Sequence, residues 1–185
     1  MNFIDRSAHS LAGKIRSNYP SAASQTLLTY SLSLIINSSL SVLIVLLVSA
    51  FTGKVTESLI VICGYTLLRI ASGGIHFQSS LVCCLFSAMV FLISSHSQYD
   101  YVYLGMLLDA AAILLVVNYA PSGIRDVSTI SPKYYPLLKL ISAMIISTNF
   151  YFHLPMLSTA FFIQAFLTSN LAKRAVDSIE GRLRR

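Results

Sequence analysis

The sequence predicts an all-α, polytopic membrane protein with about six transmembrane helices behind an N-terminal interfacial amphipathic helix. Three observations predict it. Of 185 residues, 55% are hydrophobic and 11% charged, well under the roughly 25% charged share of soluble domains, so the chain lacks the polar surface a water-facing globule needs. Several uncharged apolar stretches approach the roughly 17–25 residues that cross a hydrocarbon core of about 30 Å. The 13 Lys and Arg residues collect in alternate segments between those stretches, the asymmetry that orients membrane proteins.

The first element is residues 1–20. Ile4, Ala8, Leu11, Ala12, Ile15 and Tyr19 recur at helical spacing while Arg6, Lys14 and Arg16 lie elsewhere on the surface, as in a helix lying in the membrane interface. Without an apolar h-region or a small-residue cleavage site, this segment is expected to be retained. Pro20 closes it, and a bundle over 26–171 follows, with spans expected at 26–51, 55–71, 79–95, 101–120, 137–152 and 156–171. Ser31, Ser33, Asn37, Ser38, Ser39 and Ser41 interrupt the first span, and small polar residues of this kind pack helix on helix, within the chain or against a second copy in a homodimer. The last two spans are short enough that a re-entrant hairpin is the alternative. Residues 172–185 read as a basic tail, and 1–185 as one membrane domain.

With six spans, one side carries Arg6, Lys14, Arg16, Arg69, Arg125, Lys133, Lys139, Lys173, Arg174, Arg182, Arg184 and Arg185, and the other only Lys54. Cytoplasmic segments carry the excess, so both termini and the 69–79 segment are expected in the cytoplasm, at a cell membrane. The net charge of +6 does not form one continuous face, which argues against nucleic acid as a partner. Cys63, Cys83 and Cys84 make no CxxC or Cys/His zinc spacing, so neither a disulfide framework nor a metal is expected.

One segment gathers reactive residue types: Arg69-Ile-Ala-Ser-Gly-Gly-Ile-His-Phe-Gln-Ser-Ser-Leu-Val-Cys-Cys. A cysteine is a nucleophile only as its thiolate and needs a nearby base, cation or helix N-terminus; His76 is the candidate base for Cys83. On one continuous helix the two would stand about 10.5 Å apart along the axis. A break at Gly73-Gly74 would let residues 72–78 fold back over the start of the next span and bring His76 to Cys83. Cys83 then sits one turn inside a helix, near free backbone N–H groups, and those groups, or Ser79 and Ser80, are the candidate oxyanion donors. Against this stands the bland reading, in which the cysteine packs, the histidine is merely polar and the glycines make a turn.

Arg69, Gly73, Gly74, His76 and Cys83 together resemble the signature of the accessory gene regulator B (AgrB) peptidases. The similarity extends to chain length, the amphipathic start, and the proline-bounded basic loop over Asn118–Pro121, Arg125, Lys133 and Lys139. Phe77, where a small residue is expected, and Asp126 in the basic loop depart from the pattern. The resemblance implies a cysteine endopeptidase that cleaves an AgrD-like precursor near its C-terminal side through an acyl-thioester on Cys83. The precursor's own Cys or Ser would then close a thiolactone or lactone ring for quorum sensing. It makes Cys83 the nucleophile, His76 the proton carrier, and Arg69 a carboxylate binder or loop organiser. No cofactor is implied.

Other polar residues read differently. Cys84 points about 100° away from Cys83 around a helix, and Cys63 reads as packing. Asp109, an acid inside the fourth span, needs a partner or a wet cavity; His76, Arg69 and the first-span serines are the candidates. His9, His96 and His153 read as surface residues. Tyr19, Tyr99, Tyr101, Tyr103, Tyr134, Tyr135 and Tyr151 fall at span ends, at headgroup depth. The rival function is a non-enzymatic peptide exporter or membrane scaffold, in which Cys83 only packs.

Overall fold

A computed structural model describes residues 2–75, 77, 79–123 and 131–183, with side chains described to Ser178. Among these residues the ordered elements are helical: α1 (Phe3–Asn18), α2 (Gln25–Thr52), α3 (Val55–Ser72), α4 (Ser80–Ser95), a π turn (Tyr101–Gly105) that runs into α5 (Met106–Tyr119), a 3-10 turn (Pro132–Tyr134) that runs into α6 (Tyr135–Ser147), the single turn α7 (Asn149–Phe152), α8 (Pro155–Phe166) and α9 (Asn170–Leu183). Gln25–Thr52, Val55–Ser72 and Tyr101–Tyr119 are long and apolar enough to cross a membrane, while Ser80–Ser95 and Pro155–Phe166 are apolar but shorter.

The side chain of Asn2 starts α1 by accepting the Asp5 N–H at 2.9 Å. Asp5 in the first turn and Arg16 in the last complement the helix dipole. Ile4, Ala8 and Ala12, spaced by four, are buried while Phe3 and Leu11 stay exposed; α1 packs along α2, so part of its apolar face is used inside the protein. α2 begins at the Ser24 cap and ends at Gly53, whose φ of 70° places it in the left-handed region that glycine adopts without cost. Its buried stripe is Asn37, Ser41, Val45 and Ser49, and its exposed face includes Ile35, Leu43, Leu47 and Phe51. Polar inside and apolar outside is the packing expected where the surroundings are themselves apolar. Ser49 meets Ser58 of α3 at 2.6 Å, and Ser41 donates to the Cys84 carbonyl of α4 at 3.0 Å.

α8 is buried on nearly every side, through Met156, Leu157, Ser158, Ala160, Phe161, Gln164 and Ala165. One core cluster joins α2, α3, α4 and α8 through Val45, Val61, Tyr65, Ala88, Phe91 and Ala160. A second joins α3, α5, α6 and α8 through Leu68, Val116, Ile146 and Phe161. Helices α3 and α8 belong to both and form the central pair. Gly64 permits their approach: a Cβ there would stand 2.8 Å from Leu157 Cδ2, closer than packed carbons tolerate.

The expected spans coincide closely with α2, α3, α4 and the Tyr101–Tyr119 helix. The fifth, expected over 137–152, is divided at Thr148 into α6 and α7. The sixth, expected to reach 171, stops at Phe166, and most of the expected tail is the amphipathic helix α9. Tyr101 opens the Tyr101–Tyr119 helix, at a span end as expected, but its side chain is buried, because its ring folds over Gly105 and its hydroxyl donates to Asp109 Oδ2 at 2.9 Å. Asp109 therefore corrects the sequence expectation. Its described donors are Tyr101, Asn149 Nδ2 (2.9 Å) and Ser158 Oγ (3.1 Å), not Arg69 or the first-span serines. Together they tie α5, α7 and α8 at the end remote from the glycine pair.

Asp109→Ala would take the acceptor from the Tyr101 and Ser158 hydroxyls, while Asn149 Nδ2 keeps the Leu154 carbonyl and Ser158 Oγ, at a cost of about 2 kcal/mol. A thermal unfolding midpoint several degrees lower in detergent is expected; an unchanged midpoint would show that the network carries no stability.

Candidate functional site

α3 ends because Gly73 (φ 68°, ψ −144°) and Gly74 (φ 136°) take backbone conformations that side-chain-bearing residues rarely adopt. Several of the freed backbone groups are taken up by protein. Gly74 N–H donates to the Ser122 carbonyl at 2.8 Å, Ser122 N–H to the Ser72 carbonyl at 3.0 Å, and Ile75 N–H to the Leu167 carbonyl at 3.3 Å. The segment after α5 thus runs parallel to the glycine pair in a single bridge. A Cβ at Gly123 (φ 69°) would stand 3.0 Å from the Gly74 oxygen.

Two side chains hold this turn. Arg69 donates Nη2 to the Ile75 carbonyl at 2.7 Å and Nη1 to Gln164 Oε1 at 3.1 Å. Gln164 donates Nε2 to the Gly73 carbonyl at 2.7 Å and to Ser72 Oγ at 3.0 Å. One fully buried carboxamide therefore uses its oxygen on the arginine and its nitrogen on the glycine turn. A Cβ on Gly74 would meet both, 3.1 Å from Arg69 Nη1 and 3.4 Å from Gln164 Nε2. Gln164 was missed in the sequence, where a glutamine between Ile163 and Ala165 carries no motif; its only signal was polarity inside an apolar run.

Beyond the turn the Phe77 ring packs 5.2 Å from that of Phe86 on α4. Phe77, unexpected beside a histidine, is thus an anchor. His76 lies outside the described residues, as does Arg125. Cys83 is one turn inside α4, its N–H bonded to the Ser79 carbonyl at 3.0 Å and its side chain buried. The hydroxyls of Ser79 and Ser80 face the N-terminal helix: Asn2 Nδ2 donates to Ser79 Oγ at 3.4 Å and Ser80 Oγ to Asp5 Oδ1 at 2.6 Å. Both serines tie α1 to the start of α4, Ser80 by donating its O–H and Ser79 only as an acceptor, and Asp5 adds a carboxylate where the helix dipole favours one.

Cys83 and Arg69 share a cavity of about 140 Å³ between α2, α3 and α4, with Asn37, Tyr65 and Phe91 among its walls. Cys84 is fully buried and faces away from it, whereas Cys63 is exposed on the outside of α3. His9, His96 and His153 are exposed, the last with its ring 4.9 Å from Tyr101. On the other side of the turn an open groove of about 860 Å³ is lined by Tyr119, Ser122, Gly123, Tyr135, Lys139 and Lys173, among others. No cluster of three metal-ligating side chains occurs among the described residues.

The family model described as accessory gene regulator B matches residues 8–174, which includes the whole of this site. An AgrB-like protein of Halalkalibacterium halodurans is 27% identical over 119 residues, covering 64% of this chain and 60% of that relative. The matched segment thus spans under two thirds of the relative's length. No solved structure matches the chain.

Gln164→Leu keeps the volume of α8 and removes the latch on the glycine turn. Amide exchange at Gly74 and Ser122 is expected to accelerate about ten-fold, a loss of one net hydrogen bond's worth of protection. Unchanged exchange would show that the backbone bridge holds the turn by itself.

Proposed function

From the premise that the chain belongs to the accessory gene regulator B family, we propose that it is a membrane-embedded cysteine endopeptidase acting on an AgrD-like quorum-sensing precursor. The observation that carries this reading is the built turn: two helix-breaking glycines, fastened by Arg69 and Gln164, stand between α3 and the helix that carries Cys83.

His76 is the general base. It takes the proton of the Cys83 thiol, and the thiolate attacks the scissile carbonyl carbon, forming a C–S bond as the C–N bond breaks. His76 returns the proton to the leaving amine. A thiol or hydroxyl of the precursor then attacks the acyl-thioester, releases Cys83 and closes a thiolactone or lactone. One thioester replaces another with little change in acyl energy, provided that water is kept out, and the buried position of Cys83 suits that requirement. Ser80 commits its O–H to Asp5, so backbone N–H groups or Ser79, whose hydroxyl only accepts from Asn2, meet the oxyanion, and Arg69 acts as the loop organiser.

In this reading the fold is a six-span bundle within one membrane domain. Its N-terminal helix lies at the interface, and both termini and the active site are cytoplasmic, because the Lys and Arg residues fall on that side. Ser31, Ser38 and Ser39, exposed on α2, are the face for a second copy. The groove bearing Lys139 and Lys173 receives an acidic segment of the precursor.

Co-expression with a neighbouring precursor tests the mechanism by mass spectrometry. Cys83→Ala and His76→Ala are each expected to cut processing about 100-fold or more and to remove the Cys83-linked acyl species, whereas Cys84→Ala and Cys63→Ala stay within about two-fold. Cleavage retained in Cys83→Ala would overturn the mechanism, and no adduct and no cleavage would favour the exporter or scaffold. Lys139→Glu with Lys173→Glu should lower processing several-fold at low salt, with the deficit shrinking as screening increases; a salt-independent deficit would count against charge recognition in the groove.

A further inference from the structure

The cavity beside Cys83 contains a residue that the mechanism above does not use. Asn37, on the inward stripe of α2, is 6% exposed, and its Oδ1 is fully buried with no hydrogen-bond donor among the described residues. A buried carbonyl oxygen left without a donor costs about 1–3 kcal/mol, and native structures keep few of them. Two neighbouring donors are engaged elsewhere: Ser41 donates to the backbone carbonyls of Asn37 and Cys84, and Arg69 holds the glycine turn. Asn37 thus lines the same space as Cys83, with Leu34, Val42 and Phe91 among the walls, and its Oδ1 is an acceptor left for a group that enters there.

The volume limits what fits. About 140 Å³ is close to the roughly 150 Å³ of an apolar protein cavity that takes up benzene, so the space holds one side chain and no more of a peptide. Its position also selects which side chain. A carbonyl within reach of Cys83 Sγ places the residue that owns it nearest the cavity, with that residue's own backbone N–H beside the attacked carbon.

We infer that Asn37 and this cavity form the subsite for the residue whose carbonyl Cys83 attacks. The cavity accepts one leucine- to phenyl-sized side chain, and Asn37 Oδ1 accepts that residue's backbone N–H. The inference rests on the cysteine-peptidase reading and adds to it a substrate preference and a binding residue on α2.

The test uses the full-length protein in nanodiscs and follows alkylation of Cys83 by mass spectrometry. The probes are the chloromethyl ketones of acetyl-glycine, acetyl-leucine and acetyl-phenylalanine, in which the thiolate forms a C–S bond and chloride leaves. Methyl methanethiosulfonate, which carries neither side chain nor N–H, is the reference. The leucine and phenylalanine probes are expected to label Cys83 about ten-fold faster than the glycine probe. Ser87→Phe, which fills the cavity from α4, should bring that ratio to about one. Asn37→Leu should slow all three ketones about ten-fold relative to the reference, the value of one hydrogen bond. Equal rates for the three ketones on the natural sequence would overturn the subsite, even with Asn37→Leu unfolded, and would leave the cysteine reading standing if the reference still modifies Cys83 in a His76-dependent way. Absence of any Cys83 modification would overturn both.

Discussion

The arrangement depends on the satisfaction of backbone polar groups where α3 breaks. A helix end inside an apolar bundle cannot rely on solvent for its carbonyls, and two consecutive glycines free several groups at once. Here the protein supplies partners from three places: Ser122 from the segment after α5, Leu167 from the end of α8, and the side chains of Arg69 and Gln164. The carboxamide is suited to the task because it accepts from a guanidinium and donates to a carbonyl at the same time. A carboxylate could accept but not donate, and an aliphatic side chain could do neither. Placing that amide on α8, the helix shared by both core clusters, joins the geometry of the turn to the packing of the whole bundle.

Much of the helix order was legible because apolar length and uncharged stretches are strong signals. Helices α2, α3 and α4 end within a residue or two of where composition and turn residues place them. The later helices were harder to read for a physical reason. Asn149 and Ser158 look like ordinary polar interruptions of two spans, yet each spends its side chain on Asp109, and the chain bends at Thr148 and His153 to bring them there. The end of α8 at Phe166 was hidden because Leu167 and Thr168 continue the apolar pattern while their backbone turns.

The candidate site was legible to a different degree. Arg69, the glycine pair and Cys83 stand close together in the sequence, and the geometry gives the glycines their positive φ and places Cys83 one turn into α4. Ser79 and Ser80 were plausible oxyanion donors by position alone, but their partners, Asn2 and Asp5, are more than 70 residues away. No local pattern announces a contact of that span. Gln164 and Asn37 were invisible for the same reason, since each matters through what another helix presents to it.

The distances along the chain also bear on biogenesis. Asp5 meets Ser80 across 75 residues, and Gln164 reaches Gly73 across 91. A ribosome that has inserted α4 has already made the thiol and the glycine turn, but the amide that fixes the turn is still unsynthesised. Maturation of the turn is thereby deferred until α8 is in place, and a nascent or prematurely terminated chain would carry Cys83 and the glycine pair without the amide that fixes the turn.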